Sequence, residues 1–395
     1  MYLLTFLVEL FVFSGLYLFF QSKTASVLIT QKKNFYWLLG LTIILQIIGI
    51  ALFKKEAGDV RLFGAAGWWL RQKGDFYYID QTHGQYPFFP FLIFFHAVFN
   101  FFSEITPLFT FSFYLKLFCL LPSLYFLSWQ IKDKIARLQL LTHPLTFMAV
   151  IFHGQIDVVL LAFLIASMLF LIKKSSTGKI GWAGILYALS ILSKTWSVVF
   201  FPVICKILQR PFKIVKFSLM TLLTVFLDVF FYTRLVGSSF RQVFQAVISA
   251  GGTSGIWGIS FIFPFVKINP LLFFTVLFIF LQIIILRKEQ SIWQTCLLTV
   301  LGILLIIPKW GIQYLFWLLP FLFLAPEALK SKEALVFTVL GSLYAFLNYF
   351  NIAKEATTVN QNVINLTGFC LWGLLVYWFI ILLNKRPIDE VEFVC

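Results

Sequence analysis

The chain has 395 residues, of which 61% are hydrophobic and only 12% are charged. Soluble domains carry about a quarter charged residues, so this composition excludes a soluble globular protein and predicts a helical membrane protein. The net charge of +15 would suggest nucleic-acid binding in a soluble protein, but here we attribute it to basic cytoplasmic loops and expect a lipid bilayer, with no nucleic acid, as the partner.

Apolar segments separated by charged or turn-forming breaks predict an all-α polytopic membrane protein of about 13 transmembrane helices. The first segment has no basic region before it and no small-residue cleavage motif, so we interpret it as a retained span. In chain order, the predicted spans are 2–20, 35–53, 107–129, 139–152, 157–172, 180–193, 197–209, 214–232, 261–286, 291–307, 312–325, 334–350 and 363–383.

Most of the 31 basic residues lie in short loops that alternate with the spans. The positive-inside rule places these loops in the cytoplasm, with the N-terminus outside and the C-terminus inside. This alternation requires that residues 88–104 do not cross the membrane, and we expect an amphipathic or re-entrant helix on the outer side there. A true crossing is the alternative, and it would invert every segment upstream.

The large outer loop, 54–106, offers the first candidates for chemistry. Asp59 follows the second span, and a partly desolvated carboxylate at a membrane border can act as a general base. Arg61 and Tyr86, further along the loop, are candidate substrate contacts. For Asp59, the alternative is that it is a solvated acid paired with Lys54, Lys55 or Arg61. Three other acids on this loop compete for the same role, namely Glu56, Asp75 and Asp80.

A polar run, His153-Gly154-Gln155-Ile156-Asp157, interrupts two apolar stretches. Such groups are costly in lipid, so they usually lie at a water boundary or line a protected site. Gly154 indicates a turn or a close backbone approach. Gln155 and Asp157 can bind sugar hydroxyls, and Asp157 can also orient a base. The alternative is that these residues only cap the ends of two helices.

Three lysines lie in or beside apolar segments and are candidate contacts to an anion: Lys116, Lys194 and Lys309. An ammonium group at the membrane border needs an anion, either a substrate phosphate or a protein carboxylate. Lys116 has a second alternative, because its side chain can extend outward to water. Further candidate substrate contacts are Gln313 and Tyr314, which follow Lys309, and Trp257, which together with Tyr86 can stack on a sugar or an isoprenoid.

One candidate base near several cations fits sugar transfer from a lipid phosphate. The leaving phosphate is already anionic and needs cations rather than a general acid. One carboxylate then suffices to take the proton of the acceptor hydroxyl. A glycoside hydrolase would instead need two carboxyl groups that flank the scissile bond.

These motifs, taken in order, resemble those of the GT-C-fold glycosyltransferases that use polyprenyl-phosphate sugars. The stretch from Asp59 through "WWLRQKGDFY" to "YPFFP" is similar to the family's first outer loop. The nearest likeness is to the mannosyltransferase branch that includes the first GPI mannosyltransferase and bacterial relatives. Later segments resemble the family in the same order, over roughly 35–325: "THPLTFMAVIFHGQIDVVLL", "ALSILSKTWSVVFFPV", "GIWGISFI" and "GIQYLFWLLPFL".

The resemblance implies a GT-C-like catalytic core at 35–325, whose outer loop, 54–106, carries amphipathic helices. An extra span and cytoplasmic loop at 1–34 precede this core, and further spans with a short cytoplasmic tail at 326–395 follow it. It implies transfer of mannose or another hexose, with inversion, from a polyprenyl-phosphate donor to a hydroxyl of a glycan, glycolipid or glycoprotein. Asp59 is then the catalytic base, and Lys194 contacts the donor phosphate. The active site would face outward from the plasma (inner) membrane.

Besides the extra span at 1–34, this chain departs from the family at two places. Some members carry a DxD-like pair of acids, where this chain has Glu56 and Asp59, and the usual Asn before Pro is His143 here. Many polyprenyl-phosphate-dependent members need no metal, so we expect no cofactor, although the missing pair leaves a divalent metal open. The five cysteines are scattered and predict neither a disulfide framework nor a metal site.

The alternative function is a lipid-linked sugar flippase or a small-molecule transporter. Transporters often have internal repeats and polar groups near the membrane midplane. This chain has no clear repeat, and its polar groups gather at the outer border, with Asp228 as the exception. For Asp228 we expect a hydrogen bond between helices or an ion pair with Arg234. A purely structural scaffold would leave the ordered outer motifs unexplained.

Overall fold

The computed structural model describes residues 2–53, 58–80, 88–106, 108–172, 177–249, 258–263, 269–309, 311–354 and 360–385. These residues are mostly helical, and no strand occurs among them. The α-helices are Tyr2–Phe20, Lys23–Thr30, Lys32–Leu52, Gly58–Arg71, Phe76–Asp80, Phe91–Ile105, Phe111–Leu115, Leu121–Trp129, Lys134–Thr142, Pro144–Thr146, Asp157–Ile172, Thr177–Ser193, Phe201–Leu208, Pro211–Val236, Phe240–Ser249, Ile259–Ile262, Pro270–Leu286, Ile292–Ile306, Leu318–Leu324, Pro326–Leu329, Lys332–Lys354 and Gln361–Asn384. Wider turns form the π-helices Lys116–Leu120 and Phe147–His153. Tighter turns form the 3-10 helices Thr195–Phe200 and Ile312–Trp317.

The chain is an all-α, multi-pass membrane protein. In its described part, 6 helices are long and apolar enough to cross a membrane, or 7 if a pair bent by 46° at His143 counts as one span. Apolar helices of 10–17 residues occupy the other predicted spans, and their crossing stays a prediction. The long helices are Leu3–Phe20, Lys32–Leu52, Phe111–Trp129, Pro211–Val236, Lys332–Phe350 and Gln361–Asn384, and the bent pair is Lys134–Thr142 with Pro144–His153.

The chain divides into two compact units, and it enters each of them more than once. The first unit comprises residues 1–35, 130–148 and 252–395, and the second comprises residues 36–129 and 149–251. The linear division into 1–34, 35–325 and 326–395 stays a prediction.

In the first unit, helix Tyr2–Phe20 packs against Lys134–Thr142. The imidazole of His143 connects the end of helix Lys134–Thr142 to its neighbours. Its Nδ1 accepts a hydrogen bond from Leu145 N at 3.1 Å, and its Nε2 lies 3.2 Å from Thr338 Oγ1. His143 therefore follows the end of helix Lys134–Thr142 and caps the start of helix Pro144–Thr146. Its ring nitrogen accepts a backbone hydrogen bond, as the side chain of an N-cap residue does.

In the second unit, helices Asp157–Ile172, Thr177–Ser193 and Pro211–Val236 pack side by side. Small residues permit the close approach: a Cβ on Gly184 would lie 2.8 Å from the carbonyl oxygen of Phe217. The hydroxyl of Thr221 donates to the carbonyl oxygen of Gly184 at 3.1 Å. Small residues and hydroxyl groups of this kind are characteristic of contacts between membrane helices.

The described part of the large outer loop also belongs to the second unit and contains the helices Gly58–Arg71 and Phe91–Ile105, which pack against each other. A Cβ on Gly67 would lie 2.3 Å from the backbone carbon of His96, so only glycine fits between the two helices. Helix Phe91–Ile105 has one buried face, which includes Leu92 and Phe99. With 15 residues it is one of the shorter apolar helices, and its predicted position outside the crossings stays a prediction.

Asp228 anchors the start of that helix. Its Oδ2 accepts a hydrogen bond from the backbone N of Phe91 at 3.1 Å, which links helix Pro211–Val236 to helix Phe91–Ile105. The expected hydrogen bond between helices is therefore confirmed, and this carboxylate has a structural partner.

Candidate active site

The polar run at 153–157 is the junction between two helices. The π-helix Phe147–His153 ends at Gly154, whose φ of 84° lies in the left-handed region that favours glycine. The backbone N of Gln155 then bonds to the carbonyl oxygen of Ala149 at 3.0 Å, and Asp157 begins the next helix. The predicted turn at Gly154 is confirmed, and it separates His153 from Gln155 and Asp157 at the start of the next helix.

Gly154 is also the point at which two other segments approach the junction. A Cβ at this position would lie 2.9 Å from Cε of Lys116 and 3.2 Å from Cγ2 of Val60. Lys116 is the first residue of the π-helix Lys116–Leu120, and such wide turns occur often at functional sites. The close backbone approach that the sequence suggested is therefore confirmed as well.

The side chain of Lys116 is buried and does not extend outward to water. Its Nζ donates a hydrogen bond to the carbonyl oxygen of Phe152 at 2.8 Å, directly before the polar run. The alternative that the Lys116 side chain extends outward to water is therefore wrong. The last turn of the π-helix Phe147–His153 provides an internal acceptor for its ammonium group.

Asp59 and His153 are connected through Gln155. The Nε2 of Gln155 donates to Oδ2 of Asp59 at 2.8 Å and lies 2.8 Å from Nε2 of His153. An amide nitrogen carries two hydrogens, so it can serve both contacts when His153 accepts at Nε2 and carries its proton on Nδ1. Asp59 lies in the first turn of helix Gly58–Arg71 and its side chain is exposed, whereas Gln155 is buried. A buried amide thus holds one oxygen of a solvent-facing carboxylate.

A second charged pair lies in the same run. The ammonium group of Lys194 donates to both oxygens of Asp157, at 3.0 and 2.9 Å, and the indole N–H of Trp196 donates to Oδ1 at 3.3 Å. Lys194 has extended backbone between helix Thr177–Ser193 and the 3-10 helix Thr195–Phe200, and this break turns its side chain toward Asp157. The sequence left two anions open as the partner of Lys194, a substrate phosphate or a protein carboxylate. In the structure its ammonium group pairs with a protein carboxylate, that of Asp157.

Four charges act on the imidazole of His153. Asp59 and Asp157 contribute negative charge, and Lys116 and Lys194 contribute positive charge. The four formal charges cancel, so the site combines separated positive and negative groups without a net charge. Such an arrangement can hold a phosphate on one side and a proton acceptor on the other.

The aromatic ring of Phe88 borders the Lys194 side of the site. Its centroid lies 5.9 Å from Nζ of Lys194, within the range of a cation–π contact. The hydroxyl of Tyr77 donates to the carbonyl oxygen of Phe88 at 2.6 Å and fixes this residue. Phe88 and Trp196 were not predicted as site residues, and the only sequence signal was that they lie within the "YPFFP" and "ALSILSKTWSVVFFPV" stretches.

The competing acids on the outer loop are partly accounted for. Oδ1 of Asp75 accepts from the backbone N of Tyr77 at 3.1 Å and from the hydroxyl of Tyr232 at 3.4 Å, which gives it a structural role. Asp80 ends the helix Phe76–Asp80. Glu56 lies outside the described residues.

The roles of the remaining predicted substrate contacts stay predictions. Arg61 is exposed and lines a separate groove beside its own helix, Gly58–Arg71. Lys309, Gln313 and Tyr314 belong to the first unit, where the ring of Tyr314 stacks on Trp317 at 4.1 Å. Tyr86 and Trp257 lie outside the described residues, so their predicted stacking on a sugar or isoprenoid stays a prediction.

No cluster of three or more His, Cys, Asp or Glu side chains suited to a metal occurs in the described part of the chain. The expectation of a metal-independent site stays a prediction, because Glu56 is among the residues that the structure does not describe.

Comparison with models of known protein families found no match to this chain, and comparison with curated proteins found none either.

Proposed function

We propose that this chain is an integral membrane glycosyltransferase that moves a hexose, such as mannose, from a polyprenyl-phosphate donor to an acceptor hydroxyl outside the plasma (inner) membrane. The observation that carries the proposal is the chain of contacts from Asp59 through Gln155 to His153, next to the Lys194–Asp157 pair. The proposal includes a GT-C-like bundle of about 13 spans, in which the shorter apolar helices complete the crossings.

Asp59 is the proposed catalytic base. Oδ2 is held by Gln155 at 2.8 Å, and Oδ1 has no hydrogen-bond partner among the described residues, so it is available to an incoming hydroxyl. The acceptor O–H bond breaks as its proton passes to Asp59, and the acceptor oxygen forms a bond to the anomeric carbon. The bond from that carbon to the phosphate oxygen breaks on the opposite face, which inverts the configuration. The electron pair leaves with the polyprenyl phosphate.

Lys194 and Lys116 are the proposed cations for the leaving phosphate. Lys194 is 13% exposed, whereas its partner Asp157 is only 1% exposed, so a ligand at the surface reaches the ammonium group before the carboxylate. We therefore assign Asp157 to hold Lys194 in place and the donor phosphate to share its ammonium group. Lys116 lies beneath Gly154 and adds positive charge from the interior.

The proposal is tested first with the wild-type chain in nanodiscs and a panel of radiolabelled polyprenyl-phosphate hexoses, with crude membrane glycolipids as acceptors. We expect labelled product and released polyprenyl phosphate in equal amounts with at least one donor. If the wild-type chain forms product with none of these donors, and instead moves a labelled lipid-linked sugar between leaflets, the transferase proposal is wrong and the flippase alternative replaces it.

The role of the cation pair is tested with Asp157→Asn and Lys194→Met. Loss of the ammonium group removes an interaction with a developing charge, which typically costs about 100-fold or more in kcat. We expect Lys194→Met to lose that much, and Asp157→Asn to lose less because the ammonium group is still present. Glu104→Gln is the control, since this acid pairs with Arg71 at 2.6 Å and has no part in the proposed reaction.

A further inference from the structure

The side-chain amide of Gln155 contacts two titratable groups through a single nitrogen. Its Nε2 lies 2.8 Å from Oδ2 of Asp59 and 2.8 Å from Nε2 of His153. Gln155 is only 2% exposed, so water does not readily replace either contact. The hydrogens on Asp59 and His153 therefore determine which way this amide can point.

An ionised Asp59 fixes one orientation of the amide. An ionised carboxylate has no hydrogen to donate, so it bonds to the NH2 group and repels the amide carbonyl oxygen. Because an amide nitrogen only donates, Nε2 of His153 is the acceptor in the second contact. The imidazole is then neutral and carries its hydrogen on Nδ1. In a histidine, the bond made by one ring nitrogen in this way sets the state of the other.

A hydrogen on Nε2 of His153 would favour the opposite orientation. The carbonyl oxygen of Gln155 would then face both neighbours, accepting from the imidazole and lying against the carboxylate of Asp59. A carbonyl oxygen in that position favours the protonated form of a carboxyl group. A protonated Asp59 cannot take the proton of the acceptor hydroxyl, so the state of His153 bears directly on the proposed base.

The backbone around His153 keeps its ring at this contact. His153 is the last residue of the π-helix Phe147–His153, and Gly154 follows it in left-handed backbone. The Nζ of Lys116 donates to the carbonyl oxygen of Phe152 at 2.8 Å, directly before the ring. The contact between the imidazole and the amide is thus built into the fold of the turn.

We infer that His153 is a positioning residue for Asp59: as the neutral tautomer with its hydrogen on Nδ1, it accepts from Gln155 and keeps the amide N–H on the carboxylate. This inference rests on the proposed function and adds to it a residue that acts on the base through a second side chain. Contact between His153 and the substrate is not required.

The first test determines the tautomer of His153 and needs no substrate. The full-length chain in nanodiscs is labelled with ¹⁵N-histidine and studied by solid-state NMR near neutral pH, and the signal of His153 is assigned by its absence in His153→Gln. We expect a hydrogen on Nδ1 and a bare acceptor nitrogen at Nε2. Gln155→Glu replaces the donor by acceptor oxygens, so Nε2 should carry a hydrogen in that variant. A hydrogen on Nε2 in the wild type, or an unchanged tautomer in Gln155→Glu, would overturn the inference.

The second test compares two replacements of His153 in the nanodisc transfer assay. His153→Leu removes the acceptor, and we expect kcat to fall about 10–100-fold with little change in the KM of donor or acceptor. His153→Gln should keep most of its kcat, because its amide oxygen can accept in place of Nε2. His96→Leu is the matched control, a buried histidine of the outer-loop helix, and should transfer as the wild type does. Equal losses in His153→Leu and His153→Gln would overturn the inference.

A double variant tests whether His153 acts through Gln155. His153→Leu with Gln155→Leu should be about as slow as Gln155→Leu alone, because both changes remove the same contact to Asp59. Losses in kcat that multiply in the double variant would overturn the inference, and would assign His153 a separate action on the substrate.

Failure of the inference is distinguishable from failure of the proposed function, because the tautomer is measured without any transfer. Transfer that depends on Asp59 but is unaffected by His153→Leu would overturn the inference alone. The expected tautomers in the wild type and in Gln155→Glu, without transfer to any acceptor, would support the arrangement of these three side chains and count against the proposed function.

Discussion

Gly154→Ala is the change that tests the geometry of the candidate site most sharply. The glycine has a φ of 84°, and a Cβ there would lie 2.9 Å from Cε of Lys116 and 3.2 Å from Cγ2 of Val60. Alanine therefore imposes two separate costs, one from its own backbone and one from the side chains that face it.

The size of the loss follows from those two costs. A residue with a side chain in left-handed backbone costs about 1–2 kcal/mol. Displacement of Lys116 also weakens the hydrogen bond from its Nζ to Phe152, and a hydrogen bond from a charged group contributes about 1.5–3 kcal/mol. We expect Gly154→Ala to lower the free energy of unfolding by about 2.5–5 kcal/mol.

Gly237→Ala is the matched control. This glycine has a φ of 74° at the end of helix Pro211–Val236, and no atom lies within 4 Å of the added Cβ. It should lose only the backbone part, about 1–2 kcal/mol. The assay is reversible unfolding in mixed micelles titrated with SDS, followed by tryptophan fluorescence.

A double-mutant cycle isolates the contact with Lys116. In a Lys116→Ala background, Gly154→Ala should lose the part of its cost that comes from Lys116 and keep the backbone cost and the 3.2 Å contact with Cγ2 of Val60. The reasoning is refuted if Gly154→Ala and Gly237→Ala differ by less than about 0.5 kcal/mol in the wild-type background, which is the usual limit of additivity.

Three further predictions concern Gln155, His96 compared with His143, and Asp228. Gln155→Leu removes the amide that holds Asp59, and we expect kcat for sugar transfer to fall about 10–100-fold with little change in donor binding; an unchanged kcat would contradict that role. His96→Phe should raise the unfolding midpoint, because both buried ring nitrogens lack partners among the described residues, whereas His143→Phe should lower it, because that imidazole has two. Asp228→Leu should lower the free energy of unfolding by about 1 kcal/mol through loss of the bond to Phe91, while Asp228→Asn keeps it; equal effects in the two variants would argue against the contact.

Hydropathy and local spacing account for the parts of the structure that could be predicted. Long apolar runs give the spans, because a helix satisfies its own backbone hydrogen bonds in lipid. The run at 153–157 was predictable as a special junction, since Gly154 and three polar side chains interrupt two apolar stretches. Asp59 could be proposed from its place after the second span.

Contacts between distant segments could not be predicted from spacing. Gln155 and Asp59 are 96 residues apart, and their hydrogen bond depends on how the outer-loop helix packs in the second unit. The partner of Lys194 was undecided for the same reason: a phosphate and a carboxylate are equally suited to an ammonium group, and only the fold brings Asp157 within 2.9 Å. The π-helical turns at Lys116 and His153 have no sequence signature of their own.

The most direct test of the central claim is the initial rate of sugar transfer by Asp59→Asn in nanodiscs, with Asp75→Asn as the matched control from the same outer loop. The account predicts that Asp59→Asn binds the donor as the wild type does and loses about 100-fold or more in kcat, in line with the loss of a general base. Asp75→Asn should keep most of its activity, because Asp75 bonds to Tyr77 and Tyr232. Transfer at the wild-type rate by Asp59→Asn would contradict the account.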